Sequence, residues 1–93
     1  MSIEVQISGA LREYSGGCSE VFVSAPTVRG ALAELKTNHR SLYIGVCDET
    51  GAVRRHVNLF VNSDLVCVRD QAGLDAPLKS GDVLTIWQAV SGG

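Results

Sequence analysis

Thr27-Val28-Arg29-Gly30-Ala31-Leu32-Ala33-Glu34-Leu35-Lys36-Thr37-Asn38 is the stretch in which this chain switches to a helical period. Val28, Leu32 and Leu35 recur at helical spacing with Ala31 beside them, so they share one face. Thr27 is suited to the N-cap, where its hydroxyl accepts a hydrogen bond from an orphan amide. Asn38 marks the stop. Gly30 weakens the first turns by roughly 1 kcal/mol relative to Ala. The spacing predicts one principal helix from Thr27 to Asn38.

The flanks on both sides read as strands. Before the helix, Ile3, Val5 and Ile7 alternate with Glu4, Gln6 and Ser8, the pattern of a strand with one buried face. Leu11 and Tyr14 follow, then a Ser15-Gly16-Gly17 turn and Val21-Phe22-Val23, so residues 3 to 24 read as a long hairpin. After the helix, residues 39 to 52 are the least regular segment, with Leu42, Tyr43, Ile44 and Val46 in a short helix or a packed loop. Val57, Leu59 and Val61 then alternate with Asn58, Phe60 and Asn62. Asn62-Ser63-Asp64 turns the chain into Leu65-Val66-Cys67-Val68. A loop-rich segment from Arg69 to Asp82 is anchored by Leu74 and Leu78, and Val83 to Val90 is the last strand. One helix covers one face of such a sheet, which makes the class α+β, with the last strand returning beside the first.

Composition narrows the function. The 93 residues suffice for a single domain, 1–93, with its own core. Eight Lys and Arg against 10 Asp and Glu leave a net charge of -2, which argues against nucleic acid or an anionic membrane as a partner. No apolar run approaches the ~20 residues of a membrane span, and the first residues lack the pattern of a secretion signal. Cys18, Cys47 and Cys67 form no C-x-x-C pair and read as free thiols of a reducing compartment, packed as small apolar side chains. These features point to the cytoplasm. His39 and His56 stand alone, without ligands or triad partners at useful spacing, so no metal and no catalytic residue is expected. Arg54-Arg55-His56 reads as the solvated start of a strand, with docking of an acidic partner surface as the alternative.

The sequence closes on Gly81-Asp82-Val83-Leu84-Thr85-Ile86-Trp87-Gln88-Ala89-Val90-Ser91-Gly92-Gly93. A terminal Gly-Gly alone is a weak signal, because tails are often small and flexible. The whole run, however, resembles the end of the ThiS/MoaD family of ubiquitin-like sulfur-carrier proteins: a Gly-Asp turn, an apolar strand, then Val, a small residue and Gly-Gly. Val57-Asn58-Leu59-Phe60-Val61-Asn62 looks like that family's "V-N" strand. Length and element order agree over the whole chain. Within the family, Arg55-His56-Val57-Asn58 and the overall length look most like the CysO branch, whose carriers serve a cysteine-synthesis route.

The resemblance implies a β-grasp fold, with a mixed sheet of four to five strands on one principal helix. It implies a carrier and co-substrate rather than an enzyme. The reactive group is then the α-carboxylate of Gly93, reached through Gly92 and a flexible tail, residues 91–93. An E1-like adenylyltransferase uses ATP to activate it, a sulfur donor converts it to a thiocarboxylate, and an acceptor enzyme takes the sulfur. No cofactor is held permanently. Glycine suits such an end because it lacks the Cβ that a narrow cleft would exclude.

Strand alternation sends Phe60, Thr85 and Trp87 to the sheet face away from the helix. Phe60 and Trp87, with Ser91, are therefore the expected partner-docking residues. Three other functions share these features: a MoaD-like small subunit of molybdopterin synthase, a ubiquitin-like modifier joined through Gly93, and an interaction module with an inert tail.

Overall fold

The computed structural model describes residues 2–88. Five strands form one mixed sheet in the order β2-β1-β5-β3-β4. They are β1 (Ile3–Ile7), β2 (Glu20–Val23), β3 (Val57–Val61), β4 (Asp64–Leu65) and β5 (Val83–Gln88). The first and last strands are adjacent and parallel, with Val5 opposite Leu84 and Ile7 opposite Ile86. β5 is also antiparallel to β3, so the last strand lies at the centre of the sheet with a neighbour on each side.

The principal helix is α1 (Val28–Asn38), capped as its sequence requires: the Thr27 hydroxyl accepts from the Gly30 amide at 3.0 Å. Val28, Ala31, Leu32 and Leu35 are its buried face. They pack on Ile3, Val5, Ile7, Val57, Leu59, Leu84 and Ile86, the residues that strand alternation sends inward. Val61 packs against the margin of this core, Leu78 is buried, and Leu74 is half-buried.

Four features differ from expectation. The first two strands are not joined by a plain hairpin. Gly9–Ser15 forms a 3-10 helix anchored by fully buried Leu11, and the Arg12 guanidinium donates to the Ile7 carbonyl at 3.2 Å. Residues 39 to 52 are more regular than expected. Arg40–Val46 is a helix, α2, with Leu42 and Val46 buried one turn apart. The strand expected over 65–68 stops at Leu65, because Val66 turns into the core while its amide still bonds the Leu59 carbonyl at 2.8 Å. The chain then leaves the sheet for a short helical turn, α3 (Gln71–Leu74), capped by Asp70. Finally, only Cys47 is a packed thiol; Cys18 and Cys67 are exposed, though all three are free. No described helix is long and apolar enough to cross a membrane.

Candidate functional site

The outer sheet face is built by alternation on three central strands. Register places Asn58 opposite Trp87 and Phe60 opposite Thr85 on β3 and β5, and Gln6 opposite Thr85 on β1. Phe60 and Trp87 are thus diagonal neighbours, a separation of roughly 7–8 Å that large side chains bridge. Trp87 is 47% exposed. Phe60 is half-buried: it stands between Thr85 on one side and Leu65 of β4 on the other, so it is a packed member of the face rather than a free aromatic.

Two further apolar side chains were not singled out from sequence. Leu65 is 65% exposed and Phe22 is 55% exposed. Leu65 extends the Phe60–Trp87 patch across β4. Phe22 pairs with Glu4, and Glu4 in turn neighbours Val83, so a polar strip separates it from the patch. Gln6 donates to the Glu4 carboxylate at 2.7 Å within that strip. The face therefore has an apolar half toward β3 and β4 and a polar half on β1.

β5 is set in place at both ends. At its start, Asn62 takes the Val83 amide on its side-chain oxygen at 3.1 Å and gives its own amide to the Val83 carbonyl at 2.7 Å. Asp82 accepts from the Lys79 amide at 2.8 Å and from the Asn62 side-chain amide at 3.3 Å; these bonds, the backbone one foremost, hold its carboxyl below the ordinary range. At its end, the Ser8 amide donates to the Ile86 carbonyl at 3.0 Å, and the Gln88 amide donates to the Ser8 hydroxyl at 3.2 Å. Ser91, Gly92 and Gly93 lie outside the described residues.

The remaining reactive side chains are dispersed. His39 sits at the junction of α1 and α2, and His56 is exposed in the turn before β3. The Arg54 guanidinium is bound to the Ile44 carbonyl at 3.1 Å. No three His, Cys, Asp or Glu residues cluster as a metal site among the described residues.

The sequence pattern of the ThiS family matches residues 5–93, which includes the second half of β1, the central β5 and the terminal glycines. The chain belongs to the ThiS family. A full-length relative, the sulfur carrier protein CysO of Mycobacterium tuberculosis, is 33% identical over 95 residues and 100% of both chains. Solved structures of similar fold include SAMP1 from Haloferax volcanii, with a TM-score of 0.82 and 28% identity over 100% of each chain. They also include CysO in the Amycolatopsis orientalis BexX/CysO complex, with a TM-score of 0.80 and 33% identity over 98% of this chain and 99% of that one. Such neighbours agree with the β-grasp architecture expected for a ThiS-family chain.

Proposed function

We propose that this chain is a sulfur carrier of the CysO type, with the Gly93 α-carboxylate as the group that bears the sulfur. The observation that carries the reading is the end-to-end match to CysO, together with a sequence that closes on Val90-Ser91-Gly92-Gly93. In the first step the carboxylate oxygen attacks the α-phosphorus of ATP on an E1-like partner, and pyrophosphate leaves. In the second, a sulfur nucleophile attacks the acyl carbon, and AMP leaves with the electron pair of the broken C–O bond. The thiocarboxylate then gives its sulfur to an acceptor, cysteine synthesis being the favoured destination.

The fold supports this division of labour. A carboxylate needs no activating side chain in its own chain if the partner supplies the chemistry. The carrier must present the tail from a firm base, and β5 is such a base because it is hydrogen-bonded on both edges. The apolar half of the outer face, with Trp87, Phe60 and Leu65, would seat the activating or accepting partner beside that tail. The Amycolatopsis CysO is solved in complex with BexX, which accords with a carrier that works while held by a second protein.

Incubation of the full chain with ATP, a CysO-type activating enzyme and a sulfide source tests the proposal by intact mass. A gain of roughly 16 Da, oxygen replaced by sulfur, is expected, and it should fall within the C-terminal fragment after proteolysis. An unchanged mass under conditions that charge a known CysO would argue for an interaction module instead.

A further inference from the structure

On the side of the molecule that carries α1, a groove of about 560 Å³ runs along the helix. Arg29, Leu32, Ala33 and Lys36 form one wall at i, i+3, i+4 and i+7, a single stripe of the helix. The other wall comes from residues 50–53 and from Val68, Arg69, Gln71 and Leu74. The floor is apolar: Leu32 and Val53 are buried, and Val68 and Leu74 are half-buried. The rim is cationic, with Arg29, Lys36 and Arg69. Among the described residues no Asp or Glu lines this groove, in a chain that carries 10 acidic residues against 8 Lys and Arg. Beyond Tyr43 a second cleft continues it, lined by Arg40 and Arg54 together with Asp48 and Glu49.

We propose that this groove docks a short acidic segment of a partner protein. Its apolar side chains would rest on Leu32, Val53 and Leu74, and its carboxylates would pair with Lys36, Arg69 and Arg29. The spacing of the cations favours a chain over a small anion. Arg29 and Lys36 are seven residues apart, about 10 Å of helical rise, so they do not converge on one point. An extended peptide covers that distance in about three residues.

The two arginines are already oriented. Arg29 donates from Nε to Asp75 at 2.9 Å and from Nη2 to Gln71 at 2.6 Å, and Arg69 donates from Nη1 to the Val53 carbonyl at 2.9 Å. The Nε–Nη2 edge of Arg69 has no partner among the described residues, so it could take a carboxylate with little ordering left to do. Asp75 and Gln71 occupy the Nε–Nη2 edge of Arg29, which leaves its Nη1 to mark the far end of the groove while Lys36 and Arg69 carry most of the selectivity. Exposed ion pairs are individually weak, which leaves affinity to the apolar floor and choice of partner to the charges. The groove and the Phe60–Trp87 face lie on opposite sides of the sheet, so both can be occupied together. The inference stands independently of the sulfur-carrier reading.

The test is a titration of the isotope-labelled full chain, followed by its amide NMR signals, with the capped peptide Glu-Glu-Leu-Val-Glu-Glu. Its inner glutamates are spaced to reach along the groove. Shifts should cluster at Leu32, Lys36, Val53, Arg69 and Leu74 and shrink as salt is raised. The same peptide with lysines in place of glutamates should give none. Lys36→Glu alone, on an exposed helix surface, should weaken binding several-fold, and Lys36→Glu with Arg69→Glu roughly tenfold or more, with amide signals outside the groove unmoved. Absence of groove shifts, shifts confined to the outer sheet face, or unchanged affinity in both variants overturns the proposal. Equal shifts with inorganic phosphate alone would make the groove a small-anion site and overturn it as well.

Discussion

Asn62 satisfies both backbone hydrogen-bonding groups of Val83: its side-chain oxygen receives the Val83 amide, and its own amide donates to the Val83 carbonyl. It does so at φ 55, the left-handed region that asparagine tolerates better than most residues. Asn62→Ala keeps neither the acceptor nor the tolerance, and should cost about 1–3 kcal/mol in chemical denaturation. Asn62→Gly restores the backbone freedom alone and should recover only part of that loss. Equal stability of wild type and both variants would mean that the start of β5 is held by other contacts.

Gly45 in α2 leaves room for the Tyr14 side chain, since a Cβ there would stand 2.7 Å from Tyr14 Cγ and 3.2 Å from its Cβ. The obstruction is the root of the side chain, which moves less easily than its tip. Gly45→Ala should therefore destabilise the protein by about 1–3 kcal/mol despite the better helix propensity of alanine. Tyr14→Ala in the same chain should make the substitution markedly cheaper, a non-additivity that a double-mutant cycle in urea would measure.

On the outer face, Trp87→Glu and Phe60→Glu should both slow transfer of sulfur to or from a partner. Their effects on folding should differ. Trp87 is exposed and should change stability by about 0.5 kcal/mol or less, whereas Phe60 is packed between Thr85 and Leu65 and should cost more. Thermal unfolding beside single-turnover charging separates the two quantities. Unchanged charging and acceptor kinetics in both variants would remove this face from the partner interface.

Deletion of Gly93 should abolish thiocarboxylate formation and leave stability within about 0.5 kcal/mol of wild type. The deletion draws the carboxylate back by up to ~3.6 Å along an extended chain. A misplacement of ~1 Å at a reacting centre can cost on the order of a hundredfold in rate. One residue added after Gly93 should also block charging, because the acyl group is then an amide. Charging of the deletion at the wild-type rate would refute the terminal-glycine mechanism.

Burial, reinforced by the nearby Asp48 carboxylate, pushes the Cys47 thiol up to about 11. In the folded protein at pH 8, a thiol-alkylating reagent should therefore modify exposed Cys18 and Cys67 well before Cys47, with all three reacting in denaturant. The linked stability has a definite sign. The neutral thiol is favoured in the folded state, so its contribution is complete below the ordinary thiol value of 9.0 and is lost as pH rises from there through about 11. A Cys47→Ala variant should show a shallower loss of stability over that alkaline window.

Much of this architecture was legible because long segments carry a clean period. Eleven helical residues with a Thr cap, and strands such as Val57–Val61 that alternate strictly, leave little choice of structure. The pairing of β1 with β5 followed from closing a sheet over one helix. The 3-10 segment escaped, and the sequence of α2 admits either a short helix or a packed loop, because seven residues hold too few turns to establish a period. Their shape depends on the tertiary fit of Tyr14 against Gly45. At the outer face, alternation placed Trp87 and Phe60. It said nothing useful of Phe22, which sits in an unbroken apolar run, or of Leu65 in a two-residue strand. The cationic groove could not be read at all, since its walls come from three segments distant in the chain that only folding brings together.

The parallel pairing of β1 and β5 also decides how the molecule bears load. Ser2 lies at one end of this strand pair and Gln88 at the other, so tension between the two chain ends runs along the strands. The hydrogen bonds linking them must then yield together, in shear, whereas bonds of a strand peeled from its end break one at a time. β5 is further gripped from its other edge by β3. Against a pull applied beyond Gln88, the body of the protein should therefore resist as a single mechanical unit.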